Sequence, residues 1–296
     1  MFSSGDSYQK AGNGASDMRF SSMVRILGLI ALWAAAPLKA DIMILVHGWN
    51  SGPETWISSG VVQQLQNQGW RDAGVVELTP VGILHRTDSV DAANKLYRAS
   101  LPPEAPLSVQ AGLLLTELRF IAGQNPGQSL ILTGHSAGGL VARLALLAPG
   151  APKIDRLITI ATPNFGTSRA LQGLEIAHGK PFFCPGPGMD FIKEMVGGDQ
   201  YRYLQASSDV LVDLAPVKPG TLLDWLNRQP HPSIDYHAVI KVLPGIDGDE
   251  MVPAFSQDLA RVPALYGRVQ RHILNGPHYL TPADGNLLSG IVTRKP

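Results

Sequence analysis

The chain has a single cysteine, Cys184, in 296 residues. This excludes an internal disulfide framework and any zinc or iron–sulfur site built on several thiolates. Charge is scarce too: Asp, Glu, Lys and Arg make up 16% of the chain, 24 basic against 24 acidic, for a formal net charge of zero. Nucleic-acid binding needs a basic excess or a basic face, and neither is visible. Aromatic residues are 7% of the chain. Gly (31) and Pro (23) stay below the share that marks a disordered chain. No apolar run approaches the roughly 20 residues of a membrane-spanning helix. What is present in quantity is aliphatic: 45% of the residues are hydrophobic, enough to fill the core of one large domain.

The first forty residues read as separate from the fold. Residues 1–22 are polar and aperiodic. Arg25 then precedes an apolar run, Ile26 to Ala36, and a small-residue stretch ends at Ala40. A basic flank, a short apolar segment and a small-residue exit describe a secretory signal peptide, so the expectation is a secreted or periplasmic protein. Cleavage near Ala40 removes four basic and two acidic residues and leaves a formal net charge of −2. After export, Cys184 would be a lone thiol, expected as a packed small hydrophobe.

From Asp41 onward, strand and helix signals alternate. Ile42–Val46, Val75–Leu78, Ser129–Thr133, Leu157–Ile160, His237–Val242 and Val269–Leu274 read as strands. Trp56–Gln68, a segment from Ser108 to about Ala122, Ala137–Leu147 and Ala283–Val292 read as helices, while residues 80–107 are mixed, with Pro102-Pro103 and Pro106 marking a loop. This order implies an α/β fold, a mostly parallel sheet with helices on both faces. Residues 164–235 break the rhythm with seven prolines and short amphipathic pieces. A connection of that length is expected to be a helical lid or cap inserted over a site.

The chemistry centres on Gly134-His135-Ser136-Ala137-Gly138, which fits G-x-S-x-G. An apolar strand enters it and a helix leaves it, as a nucleophile on a sharp strand-to-helix turn requires. A serine hydroxyl needs a base, most often a histidine oriented by a carboxylate. In this fold type the chain order is Ser, acid, His. Five histidines follow Ser136. His178 and His231 fall in the lid, His237 opens a strand, and His272 lies within the last strand. His278 follows that strand in Asn275-Gly276-Pro277-His278, at the carboxyl edge where open α/β sheets place their sites, and is the preferred base with His272 in reserve. The acid is sought in the preceding loop, where Asp247, Asp249 and Glu250 all qualify. An oxyanion takes two backbone N–H donors: Ala137, next to the serine, and Trp49, in the loop after the first strand. His47 precedes the serine and reads as structural. Trp49, Trp56, Phe165, Phe182, Phe183 and Trp225 are candidates for an apolar pocket.

These residues resemble a known superfamily. Ile44-Leu45-Val46-His47-Gly48-Trp49, Leu132 to Arg143, Leu157 to Pro163, Asp249-Glu250-Met251-Val252-Pro253 and Gly276-Pro277-His278-Tyr279-Leu280 are similar to the α/β-hydrolases of the bacterial lipase and esterase group. The likeness runs from about Ile42 to the C-terminus and is weak over 164–235. It implies the α/β-hydrolase fold, with Ser136 as nucleophile, Asp249 as acid, His278 as base, and Trp49 and Ala137 as oxyanion donors. It also implies that the two antiparallel edge strands of larger members are absent, because the first strand follows the signal directly. Ala137 departs from the Met or Gln that many lipases of this group carry. The implied activity is carboxylic ester hydrolysis through an acyl-enzyme, on an ester or lipid substrate that a lipid–water interface would present. Thioesterase, amidase or acyltransferase chemistry on the same triad is the alternative, and an inactive binding protein of the same fold is a further one. No cofactor, metal or nucleic-acid partner is implied, and the sequence leaves the oligomeric state open.

Overall fold

The computed structural model describes residues 41–87, 92–178 and 199–293. The segment expected to be a signal peptide, Cys184, Phe182 and Phe183 lie outside the described residues. In chain order the elements are β1 (Asp41–Val46), α1 (Thr55–Ser58), α2 (Val61–Asn67), β2 (Arg71–Thr79), β3 (Gly82–Arg86), β4 (Lys95–Ser100), α3 (Leu107–Gln124), β5 (Ser129–His135), α4 (Ala137–Leu147) and β6 (Arg156–Ile160). They continue with α5 (Ser168–Ala177), α6 (Asp199–Ala206), α7 (Ser208–Leu214), α8 (Leu222–Arg228), β7 (Asp235–Val242), α9 (Ala254–Gln257), β8 (Val269–Asn275) and α10 (Pro282–Thr293).

The strands form one eight-stranded sheet in the order β3-β2-β4-β1-β5-β6-β7-β8. All pairs are parallel except β2 with β3. β1 sits at the centre, and its residues 42–46 are fully buried. Strand alternation sends Ile42, Ile44 and Val46 into one core with α3 and α4, and Met43 and Leu45 into a second core with Trp56, α2 and α10. Burial on both faces is why these strands read as continuous apolar runs rather than alternating ones.

Three expectations are corrected. The segment 56–68 is not one helix: Gly60 takes φ 80° and divides α1 from α2. The mixed stretch 80–107, where no strand is expected, holds β3 and β4, while Pro102, Pro103 and Pro106 lie outside both, in the loop they mark. The antiparallel edge is not wholly absent, because β3 folds back on β2 as a hairpin, with Val75 opposite Arg86 and Thr79 opposite Gly82. β4 escapes a sequence reading because KLYRAS carries a buried cation. Arg98 is satisfied only by residues distant in sequence, Glu54 at 2.7 Å and Asp72 at 3.1 Å.

Because β1, β5, β6, β7 and β8 run parallel, their carboxyl ends share one sheet edge. The loops at 47–50, 136, 161–164, 243–253 and 276–281 therefore converge there, the edge where open α/β sheets bind their ligands.

Candidate active site

Ser136 occupies the sharp turn between β5 and α4. Its backbone stands at φ 52°, ψ −127°, a conformation that costs a non-glycine residue energy and persists only where the surroundings impose it. The Ser136 N–H donates to the Ile160 carbonyl at 2.8 Å, and the Gly139 N–H donates to the Ser136 carbonyl at 3.0 Å. Ser136 is also the residue that caps α4, yet its hydroxyl makes no cap bond. The side chain is thereby left for another partner. The turn is tight enough that a Cβ on Gly138 would overlap the carbonyl oxygens of His47 and Val46.

The sheet edge brings the three chain-distant candidates together. Ser136 Oγ lies 2.9 Å from His278 Nε2, and His278 Nδ1 lies 2.9 Å from Asp249 Oδ2. An ionised carboxylate only accepts, so Nδ1 carries the proton and Nε2 is the nitrogen that accepts from the serine hydroxyl. The Asp249 side chain is fully buried. Its Oδ1 accepts the N–H groups of Met251 (2.8 Å) and Val252 (2.7 Å), and its Oδ2 also accepts from Gln257 Nε2 at 3.1 Å. Charge taken out of water is held by several donors, as burial demands.

The main chain of His278 is gripped from both sides. Its N–H donates to the Glu250 carboxylate, 3.0 Å from each oxygen. Its carbonyl accepts from His135 Nε2 at 2.9 Å. Burial, followed by the neighbouring His278, holds the His135 pKa well below the usual histidine range, so His135 acts here as a neutral donor. Of the alternatives, Glu250 thus holds the His278 main chain, Asp247 lines a neighbouring surface groove, and His272 pairs with His237 at 3.0 Å, away from this cluster. His178 ends α5, and His231 lies beside the buried Arg143 guanidinium at 3.3 Å.

The loop after β1 packs directly on the turn: a Cβ on Gly48 would sit 2.9 Å from Ser136 Cβ. Leu101 N–H donates to His47 Nε2 at 3.2 Å, which makes Nδ1 the donor to the Gly48 carbonyl at 3.0 Å. His47 is therefore structural, and burial lowers its pKa. In a trans peptide the C=O and N–H point in opposite directions, so fixing the Gly48 carbonyl also fixes the direction of the Trp49 N–H. Asn50, at φ 52°, donates its N–H to the Tyr203 hydroxyl of α6 at 3.1 Å, and the Tyr203 ring stacks on Trp49 at 6.1 Å. Ala137 is the first residue of α4 and contributes the adjoining backbone N–H at a helix N-terminus, where negative charge is favoured.

A pocket opens beside Ser136 and His278. Its wall is apolar, with Pro163, Ala170, Leu211, Leu214, Met251 and Val252 among the lining residues. Of the aromatic candidates, Trp49 lines it, Trp56 belongs to the core behind the sheet, Phe165 packs against the other core, and Trp225 is half exposed. Glu250, weighed as an acid, and His135 hold the His278 backbone instead, while Gln257 and Tyr203, which the sequence does not single out, are ordinary polar residues whose contacts exist only once the loops meet. Among the described residues no helix is long and apolar enough to cross a membrane, and no three His, Cys, Asp or Glu side chains are grouped to hold a metal ion.

The architecture is that of the α/β-hydrolase fold. Residues 108–176 match the family described as the PGAP1-like alpha/beta domain. Among solved structures, it is similar to the mature form of the Bacillus licheniformis lipase BlEst2 (18% identity, TM-score 0.57, covering 87% of this chain and 91% of that one). It is also similar to the product of the gene lin2722 of Listeria innocua (16%, 0.55, 87% and 95%) and to the RedJ thioesterase of prodiginine biosynthesis in Streptomyces coelicolor (14%, 0.52, 86% and 90%). No curated protein matches the sequence.

Proposed function

We propose that this protein is a serine hydrolase that cleaves carboxylic esters through an acyl-enzyme. The observation that carries the reading is the unbroken chain from Ser136 Oγ through His278 to Asp249, with both links at 2.9 Å. His278 Nε2 takes the hydroxyl proton as Ser136 Oγ attacks the ester carbonyl carbon. Asp249 holds the imidazole in the productive tautomer and stabilises its charged form. The N–H groups of Trp49 and Ala137 bind the oxyanion, each such donor being worth roughly 10²–10³ in turnover. The tetrahedral intermediate collapses, the C–O bond to the alcohol breaks, and His278 returns the proton to the leaving alcohol. Water then enters, loses a proton to His278, and attacks the acyl carbon. The acid departs and Ser136 Oγ is reprotonated.

The apolar wall beside Ser136 favours an acyl chain over a charged group. Helices α5 and α7 supply Ala170, Leu211 and Leu214 to it, which supports reading 164–235 as a cap. Thioester hydrolysis is the second reading. One structural neighbour is a thioesterase, and the same oxyanion and pocket would serve an acyl thioester.

A panel of p-nitrophenyl esters of rising chain length, run beside matched acyl thioesters, tests this. Esters should be turned over, a fluorophosphonate probe should label Ser136, and Ser136→Ala should lose about 10⁴-fold or more in turnover. A Ser136→Ala enzyme of near-normal activity would refute the assignment.

A further inference from the structure

Two charged side chains near the site remain without a use in that chemistry. Lys241, in β7, and Asp284, in the first turn of α10, are both completely inaccessible to solvent, with Lys241 Nζ 2.9 Å from Asp284 Oδ2. An ion pair taken fully out of water is weak support for stability, because desolvation offsets the attraction, and an apolar pair of similar volume often serves as well. Its presence calls for a different purpose, and its bonds indicate one.

Nζ of Lys241 also donates to the Tyr279 carbonyl at 2.8 Å, one residue past His278. Asp284 Oδ2 accepts from the Thr281 N–H (2.7 Å) and the Thr281 hydroxyl (2.9 Å). The pair thus ties residues 279 and 281, immediately after the imidazole, to β7, one strand in from the sheet edge, and to a helix. The backbone of Lys241 reaches the acid as well. Its N–H donates to Gln257 Oε1 at 2.7 Å, and Gln257 Nε2 donates to the Lys241 carbonyl at 3.0 Å. The same Gln257 nitrogen lies 3.1 Å from Asp249 Oδ2, the oxygen that receives His278 Nδ1–H. One residue therefore anchors the loop bearing the acid through its backbone and the loop bearing the base through its side chain.

We propose that the buried Lys241–Asp284 pair is a positioning device that sets the His278 imidazole against Asp249 and Ser136, with Thr281 as its third member. This rests on the serine-hydrolase reading above. A displacement of about 1 Å at a reacting group costs on the order of 100-fold in rate, so a device of this kind acts on turnover rather than on substrate binding.

The test replaces both charges at once. In Lys241→Met/Asp284→Leu the buried charges disappear together, so neither is stranded. The expected result on the full chain is a melting temperature close to that of the parent, a turnover of p-nitrophenyl ester about 10- to 100-fold lower, and a KM within about 2-fold. The low-field proton resonance of His278 Nδ1–H, expected in the parent and in Ser136→Ala from the 2.9 Å contact with Asp249, should broaden or vanish in the double variant. A double variant that keeps parental turnover and a sharp resonance overturns the proposal. So does one that loses melting temperature but not turnover, the mark of a structural role alone. If the double variant does not fold, Thr281→Val decides: about 3-fold lower turnover at an unchanged melting temperature supports the proposal, and unchanged turnover overturns it. Should the parent hydrolyse no ester or thioester, the functional reading fails by itself, while the resonance in the double variant still reports on positioning.

Discussion

The two sides of the site are built from different materials. On the side of the reacting groups, Asp249, Glu250, Gln257, His135 and His278 are joined by directed hydrogen bonds, and backbone carbonyls stand where a methyl group would go. On the pocket side, α5 and α7 present aliphatic side chains that meet through surface contact alone. Directed bonds fail when an angle or proton is wrong, whereas apolar contacts lose energy in proportion to area and tolerate repacking. Substitutions on the first side should act on chemistry and those on the second on substrate choice.

The largest effect that would sharpen this contrast is Asp249→Asn. An amide there favours the wrong imidazole tautomer, and turnover should fall by roughly 10⁴ in single-turnover kinetics, with KM little changed. Gly138→Ala comes next. Its methyl group would overlap the carbonyls of Val46 and His47, so a loss of about 3 kcal/mol or more is expected in chemical denaturation, and activity falls with the fold. A soluble, fully active Gly138→Ala would break the comparison. Leu211→Ala removes a buried pocket side chain at a cost of about 2–3 kcal/mol. Its functional signature should be a shift of the chain-length profile toward longer acyl groups, with short esters turned over within about 2-fold of the parent rate. A large loss on every ester would show that the pocket wall also carries chemistry.

The smallest effect is a control outside both regions. Burial raises the Glu117 carboxyl from 4.5 to about 9. The folded chain therefore keeps a proton that the unfolded chain releases, and stability falls as pH rises from about 4.5 toward 9. Glu117→Gln removes that titration. Its melting temperature should exceed the parent's by a margin that grows between pH 6 and pH 9, with turnover unaltered.

Much of the fold is legible in the sequence. β1, β5 and β6 are runs buried on both faces, and α4 begins at Ala137 and ends at Leu147 as its pattern predicts. Ser136, His278 and the acidic loop at 247–250 are legible as candidates because each follows a strand whose end can be located, and strand ends fix where a loop must go; among the three acids, only the family resemblance singles out Asp249. What escaped depends on partners far along the chain. β4 was hidden by Arg98, whose burial makes sense only beside Glu54 and Asp72. The helix expected from Ser108 starts at Leu107 with Pro106 as its cap residue, and the Leu107 N–H is taken by Asp213 from 106 residues away. Gln257 and Lys241 carry no local sign of their contacts with the acid and base loops.

The hairpin formed by β2 and β3 stands at the far edge of the sheet, three strands removed from β5 and its serine, and Val81 at its tip is 98% exposed. That tip is where the molecule can be handled. A tether to a solid support, a fluorescent label or an inserted peptide placed between Thr79 and Gly82 would load only the margin of the structure, and an immobilised preparation made this way should keep its full specific rate.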